Sequence, residues 1–137
     1  MEELSPNFNR TSRTPVLGRY TLRVMLRMST NDDRIAAVLH DVVEDTDWSL
    51  ELLKAEGFSE PILRAIDSLT RREDETYEEF VARAGRDPIG RRVKLADLED
   101  NSDLARIACP TETDRARLER YRRAIEELRK LEATDAP

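Results

Sequence analysis

His40 is the only histidine in the chain, and it stands beside Asp41 in the string Val38-Leu-His-Asp-Val-Val-Glu-Asp-Thr46. Glu44 and Asp45 follow one helical turn later. At about 100° per residue, His40, Asp41, Glu44 and Asp45 share one polar arc of a helix. Ile35, Val38, Leu39, Val42 and Val43 fill the opposite, apolar arc. Carboxylates set side by side repel and desolvate one another unless a cation or a base offsets them. An imidazole with three carboxylates suits a divalent metal that activates a water. A second polar set lies in Val93-Lys-Leu-Ala-Asp-Leu-Glu-Asp-Asn101, where Asp97 and Asn101 share a helix face and Lys94 precedes Asp97 by one turn. Packing the two segments together would converge His40, Asp41 and Asp97 as mixed N/O ligands, suited to Mn²⁺, Fe²⁺ or Zn²⁺. Glu44 and Asp45 would then orient or deprotonate the water. Each piece has a plainer meaning when taken singly. A His-Asp pair is commonly a satisfied polar pair. Asp97, Glu99, Asp100 and Asp103 can form a solvated face balanced by arginines, and Arg71-Arg72 and Arg91-Arg92 read as surface charge.

The elements that must carry these residues are helices. Of 137 residues, 38% are charged and 5% aromatic, with only 4 Gly and 6 Pro, so the core is aliphatic and the class all-α. One domain is expected at this length, with no room for a second. Residues 1–18 carry no sustained period and read as an extended arm, followed by a helical domain over 19–137. A first helix is predicted from about Arg19 to Ser29, with Leu22, Met25, Leu26 and Met28 as its apolar side. Thr30 or Asn31 caps the second, which holds the His-Asp string and ends near Asp45, with Asp32 and Asp33 facing the helix dipole. Ser49 opens a third that stops at Gly57, and Ser59, with Glu60 and Pro61, opens a fourth through about Leu69. Thr76-Tyr-Glu-Glu79 is a capping box for a fifth. Asp87-Pro88 starts a sixth that carries Asp97. A last helix runs from about Thr113 to Leu131 with Leu118, Tyr121, Ile125 and Leu128 along one side. The expected result is a compact bundle of six or seven helices.

The formal net charge of −6 disfavours a nucleic-acid polymer as partner, though a local basic pocket for a small phosphorylated ligand is allowed. Cys109 stands alone, which excludes a disulfide framework and a multi-cysteine metal site. No apolar run has membrane-spanning length and no apolar signal region opens the chain, so a cytoplasmic protein with no membrane association is expected.

Leu39-His-Asp-Val-Val-Glu-Asp-Thr46 resembles the central motif of the HD superfamily, in particular the RelA/SpoT-type (p)ppGpp hydrolases. Val93 to Asn101 is similar to that family's later motif, which carries the last metal-binding aspartate. Leu22-Arg-Val-Met25 and Ser68-Leu-Thr-Arg71 match intervening segments, in family order, from about residue 20 to 103. The resemblance implies an HD-type bundle in which His40, Asp41 and Asp97 bind Mn²⁺ and Glu44 and Asp45 serve hydrolysis. It also implies that Asn101, with Lys94, Arg10 and Ser12, contacts a nucleotide such as ppGpp, which loses its 3′-pyrophosphate. Tyr20 stands where the family has its first metal-binding histidine. Only eight residues precede Asn9-Arg10, where the family has a full helix. A wall of the purine pocket is then either missing or supplied by another subunit of a homo-oligomer. Three readings stay open: a phosphohydrolase of this type, one acting on another nucleotide, and a non-catalytic nucleotide-binding or protein-interaction module of the same fold.

Overall fold

In a computed structural model of the chain, the structure describes residues 22–103 and 108–135. Among them are seven helices and no strand: a short α1 at 22–26, then α2 (Asn31–Asp45), α3 (Leu50–Ala55), α4 (Glu60–Ser68), α5 (Tyr77–Arg86), α6 (Pro88–Asn101) and α7 (Glu112–Asp135). None is long and apolar enough to cross a membrane. The all-α expectation holds. The predicted arm and the residues Arg10, Ser12 and Tyr20 lie outside the described residues.

Local chemistry sets the boundaries. The Thr30 hydroxyl accepts from the Asp33 amide at the start of α2, and Ser49 does the same for Leu52 at the start of α3. Thr76 and Glu79 form the reciprocal capping box of α5. Asp87 accepts from Gly90 N, and Pro88 supplies the preset φ of the first turn of α6. Gly57, at φ +100°, makes the turn after α3 in a conformation that L side chains rarely adopt.

Helix α6 packs against α2, α4, α5 and α7, so it is the axle of the bundle. Three apolar clusters fill the bundle, two of them including residues of α6. Val24, Met28, Ala36, Ala37, Ala65, Leu69, Val93 and Ala96 join α1, α2, α4 and α6. Leu53, Ile62, Leu63 and Ile66 join α3 and α4 and receive Ile35, Leu39 and Val43 of α2. Val81, Leu98, Ala124 and Leu128 join α5, α6 and α7. The approach of α4 to α6 is close: a Cβ at Gly90 would lie 2.1 Å from the Ser68 hydroxyl oxygen, which would have to leave its hydrogen bond to the Ala65 carbonyl.

The faces differ from the sequence expectation in three places, each because a charge had to be paired. Val24 of α1 is buried, as is Met28 just after it, the latter as expected, while Leu22 and Leu26 are exposed. Arg23 and Arg27, one turn apart, reach Asp100 and Glu99 of α6 and so fix which side of α1 faces inward. On α2 the buried stripe is Asp33, Ala36, Ala37 and His40, so the histidine belongs to the buried face and not to an outer polar arc. The alanines let α2 approach α6, while Ile35, Leu39 and Val43 face α3 and α4. On α6, Arg91 and Arg92 are structural and not surface charge. Arg91 is buried, donating to the Gly85 carbonyl and to Glu132, and Arg92 makes a two-pronged pair with Asp33 at 2.7 and 2.9 Å. Nor is the acidic run of α6 a solvated face: Asp100 is buried against Arg23. Arg71 and Arg72 are exposed, as expected.

A polar latch holds the loop between α4 and α5. Arg83 of α5 donates to the Asp67 and Thr70 carbonyls and pairs with Glu75. The Arg83 hydrogen bond is the main reason that the Glu75 carboxyl falls to about 2, with the Arg72 backbone amide adding to it and partial desolvation opposing.

Two outcomes follow from these pairs. Arg92→Ala strands the Asp33 carboxylate in the interior and should lower unfolding stability in urea by about 3 kcal/mol, with the Asp33→Ala/Arg92→Ala double variant losing less than the two single losses summed. Full additivity would show that the two side chains do not interact. Because the native Glu75 pKa lies below its ordinary 4.5, its contribution is complete above pH 4.5 and is lost as pH falls toward 2. Glu75→Gln should therefore flatten the stability-versus-pH curve across that window, and an unchanged slope would contradict the latch.

Candidate functional site

The C-terminal half of α2 brings together His40, Asp41 and Glu44. One ligand atom from each lies within 4.8 Å of the other two, the arrangement a bound cation needs. His40 Nδ1 is 3.0 Å from the Ala37 carbonyl oxygen one turn back. A carbonyl can only accept, so Nδ1 carries the hydrogen and, in the neutral ring, Nε2 holds the lone pair. That nitrogen is 3.5 Å from Asp41 Oδ1. A backbone carbonyl orienting one ring nitrogen while the other is presented outward is the usual support of a metal-binding histidine. The cause is local: residues three apart share a helix face, which sets the His40 ring over the Ala37 carbonyl.

Glu44 is exposed as a residue, yet loss of water around its carboxyl is the largest effect on it and raises its pKa. His40 opposes that rise, Asp41 and Asp45 add to it, and Lys94 opposes it. Asp45, the last residue of α2, therefore acts on Glu44 through charge.

Helices α2 and α6 pack together as the sequence required. Asp97 nevertheless falls outside the three-residue grouping. Its carboxylate accepts from Asn101 Nδ2 at 3.1 Å and lies 3.5 Å from Lys94 Nζ. Burial pushes Asp97 up to about 7, with Asp100 adding to the rise and Asn101 opposing it. Burial also brings Lys94 down to about 8, which Glu44 opposes and Arg71 reinforces. At 3.5 Å the pair is too long for a strong hydrogen bond, and neither charge fully replaces the water the other has lost. Lys94 thus links the two acidic groups, touching Asp97 and acting on Glu44.

Tyr77 is legible in the sequence only as the second residue of a capping box, yet it is the aromatic centre of the neighbouring wall. Three cations surround its ring: Arg120 Cζ at 4.8 Å from the centroid, Arg71 Cζ at 5.9 Å and Lys94 Nζ at 6.0 Å. Lys94 also lies 4.6 Å from the Phe80 centroid. The Tyr77 hydroxyl is buried without a hydrogen-bond partner among the described residues, and burial pushes its pKa up to about 12. No sequence pattern marks Tyr77 or Arg120, because their convergence depends on how α5, α6 and α7 cross.

No protein-family model matches the chain. Over 85 residues, 56% of its length, the chain is 33% identical to a probable GTP pyrophosphokinase of Mycobacterium leprae (strain TN). The match spans 11% of that protein. The chain is thus similar to a small part of a much longer protein named for chemistry on a guanosine nucleotide.

The orphaned hydroxyl makes Tyr77 a clear stability test. Tyr77→Phe keeps the ring and removes the unpaired group, so stability in urea should stay level or rise by about 1 kcal/mol. A loss of that size would mean that the hydroxyl has a partner.

Proposed function

We propose that this chain is a divalent-metal-dependent phosphohydrolase of the HD type, acting on a guanosine nucleotide such as ppGpp and removing its 3′-pyrophosphate. The observation that carries the reading is the convergence of His40, Asp41 and Glu44, with the Nε2 lone pair of His40 turned toward the carboxylates. The donor set fits a divalent transition metal: one buried imidazole, already oriented, beside oxygen donors. Similarity to a probable GTP pyrophosphokinase supports a guanosine nucleotide as substrate. The choice of hydrolysis over transfer rests on the resemblance of the His-Asp-Val-Val-Glu-Asp-Thr string and on the metal-type donors.

In this reading His40 and Asp41 hold the cation, with Mn²⁺ the expected ion. Asp97 is a further donor, which would give up its contacts with Lys94 and Asn101. The cation, when bound, supplies Lewis acidity at the attacked phosphoryl group. Glu44 takes the proton of the attacking water. Its carboxylate lies within 4.8 Å of the other two donors, and loss of water around it raises its pKa, which makes it a stronger base than a free carboxylate. Asp45 favours that proton's capture by its negative charge. Lys94 and Asn101 face phosphate and nucleoside, with the lysine ammonium offsetting charge on phosphoryl oxygens. Arg10 and Ser12 complete the nucleotide contacts. A non-catalytic nucleotide-binding module is the second reading, favoured by Tyr20 at the position where the resemblance calls for a histidine.

Incubation of metal-stripped protein with ppGpp and added Mn²⁺ should release pyrophosphate and GDP. Glu44→Gln should lower kcat by about 10²-fold or more, and Asp41→Ala should abolish turnover. Pyrophosphoryl transfer from ATP to GTP without ppGpp hydrolysis would overturn the hydrolase assignment. Nucleotide binding with neither reaction would favour the non-catalytic module.

A further inference from the structure

We infer that the groove between α5 and α7 seats a second copy of this chain, turned end for end about a two-fold axis that lies across the groove. The inference does not depend on the reaction proposed above. It rests on the order of charges along the two walls of the groove.

Contacts between α5 and α7 fix which residues share an end of the groove. Arg120 Cζ lies 4.8 Å from the Tyr77 ring centroid, and the Tyr77 and Tyr121 centroids are 6.3 Å apart. Toward the other end, a Cβ at Gly85 would lie 2.7 Å from Leu131 Cδ1 and 3.0 Å from Leu128 Cδ2. The two helices therefore run in the same direction along a groove of about 530 Å³. Val81, Ala124 and Leu128 form its buried floor. Ala82 and Leu131 are its exposed apolar residues, and Leu131 leans on Gly85.

The charges alternate around this floor. Glu78 on α5 and Arg120 with Arg123 on α7 stand toward the Tyr77 end, while Arg86 on α5 and Glu127 on α7 stand toward the Leu131 end. Each wall changes sign along its length, and the two walls do so in opposite order. Such a surface complements a copy of itself given a half turn, which is what an isologous dimer requires. End for end, α5 lies on α5 of the second copy and α7 on its α7, each antiparallel, so the helix dipoles also oppose. Glu78 then meets Arg86 of the second copy, Arg120 and Arg123 meet its Glu127, and both contacts recur by symmetry. Leu131 comes over the Tyr77 end of the other groove, where the ring and the aliphatic stem of Arg120 offer apolar surface. A small ligand would have to match four charged corners at once, whereas a second copy supplies the match by symmetry alone. Arg123 and Glu127 have partners on their own helix, Glu119 at 3.4 Å and Lys130 at 3.7 Å. Those pairs are exposed and cost little to exchange. Helix α5 has 10 residues, about 15 Å of length, so the contact is smaller than the roughly 800 Å² per partner of a standard interface. A salt-sensitive association in the micromolar range is the expectation.

Sedimentation equilibrium on the full chain, over a concentration series at low and at raised salt, tests the pairing. A monomer–dimer equilibrium that weakens with salt is expected. Glu78→Arg and Arg86→Glu, each checked for helical content by circular dichroism, should each weaken the dimer by about tenfold or more. The double variant Glu78→Arg/Arg86→Glu exchanges the two signs and should return association close to that of the parent, a rescue that damage to the fold would not produce. Arg64→Glu, on α4 and outside the groove, should leave association unchanged. A chain that stays monomeric at every concentration would leave the groove to a small ligand or to a helix of another protein, and would overturn the inference. Single reversals that leave the dimer intact, or a double variant without rescue, would overturn it as well.

Discussion

The burial of charge on α6 is the constraint around which the rest of the structure is arranged. This helix touches four others, so few of its positions reach water, yet it carries Arg91, Arg92, Lys94, Asp97 and Asp100. A charge taken from water without a partner costs several kcal/mol. The partners therefore come from different elements: Asp33 of α2 for Arg92, Glu132 of α7 for Arg91, and Arg23 of α1 for Asp100. Each pair fixes the rotation and height of one helix against the axle. The apolar contacts then fill in around them, with alanines where α2 meets α6 and Gly90 where α6 meets the Ser68 hydroxyl of α4.

The same constraint places the candidate site. The Asp33–Arg92 pair anchors the first turn of α2, and the stripe through Ala36 and Ala37 carries that register on to His40. The ring is thereby buried and held by the Ala37 carbonyl, leaving Nε2 facing Asp41. At the other side of α6 the charges are only partly compensated. Burial pushes Asp97 and Lys94 each toward the neutral form, and Arg71 and Arg120 gather with Lys94 around the Tyr77 ring. Titratable groups shifted by burial beside specific charges tend to cluster at functional sites.

Much of this arrangement is legible in the amino-acid sequence. The helix boundaries follow from Thr30, Ser49, Thr76, Asp87 and Gly57, whose chemistry is local and needs no tertiary context. The His40–Asp41–Glu44 grouping is legible for the same reason, since spacing within one helix decides it. The choices made between helices are not. Leu22, Met25, Leu26 and Met28 form a plausible apolar stripe, of which Met28 is buried, but the pairing of Arg23 and Arg27 with α6 turns Val24 inward and leaves Leu22 and Leu26 exposed. Arg91 and Arg92 look like surface charge until α2 and α7 supply their partners. Tyr77 and Arg120 carry no motif, because only the crossing of α5 and α7 brings them together.

The central claim is that His40 and its neighbouring carboxylates hold a divalent metal. Calorimetric titration of Mn²⁺ into metal-stripped protein tests it directly, with His40→Ala measured alongside and its fold confirmed by helical circular dichroism. The account predicts a single saturable Mn²⁺ site in the parent chain and its loss in a folded His40→Ala. Equal binding by both proteins, or none by the parent, would contradict it.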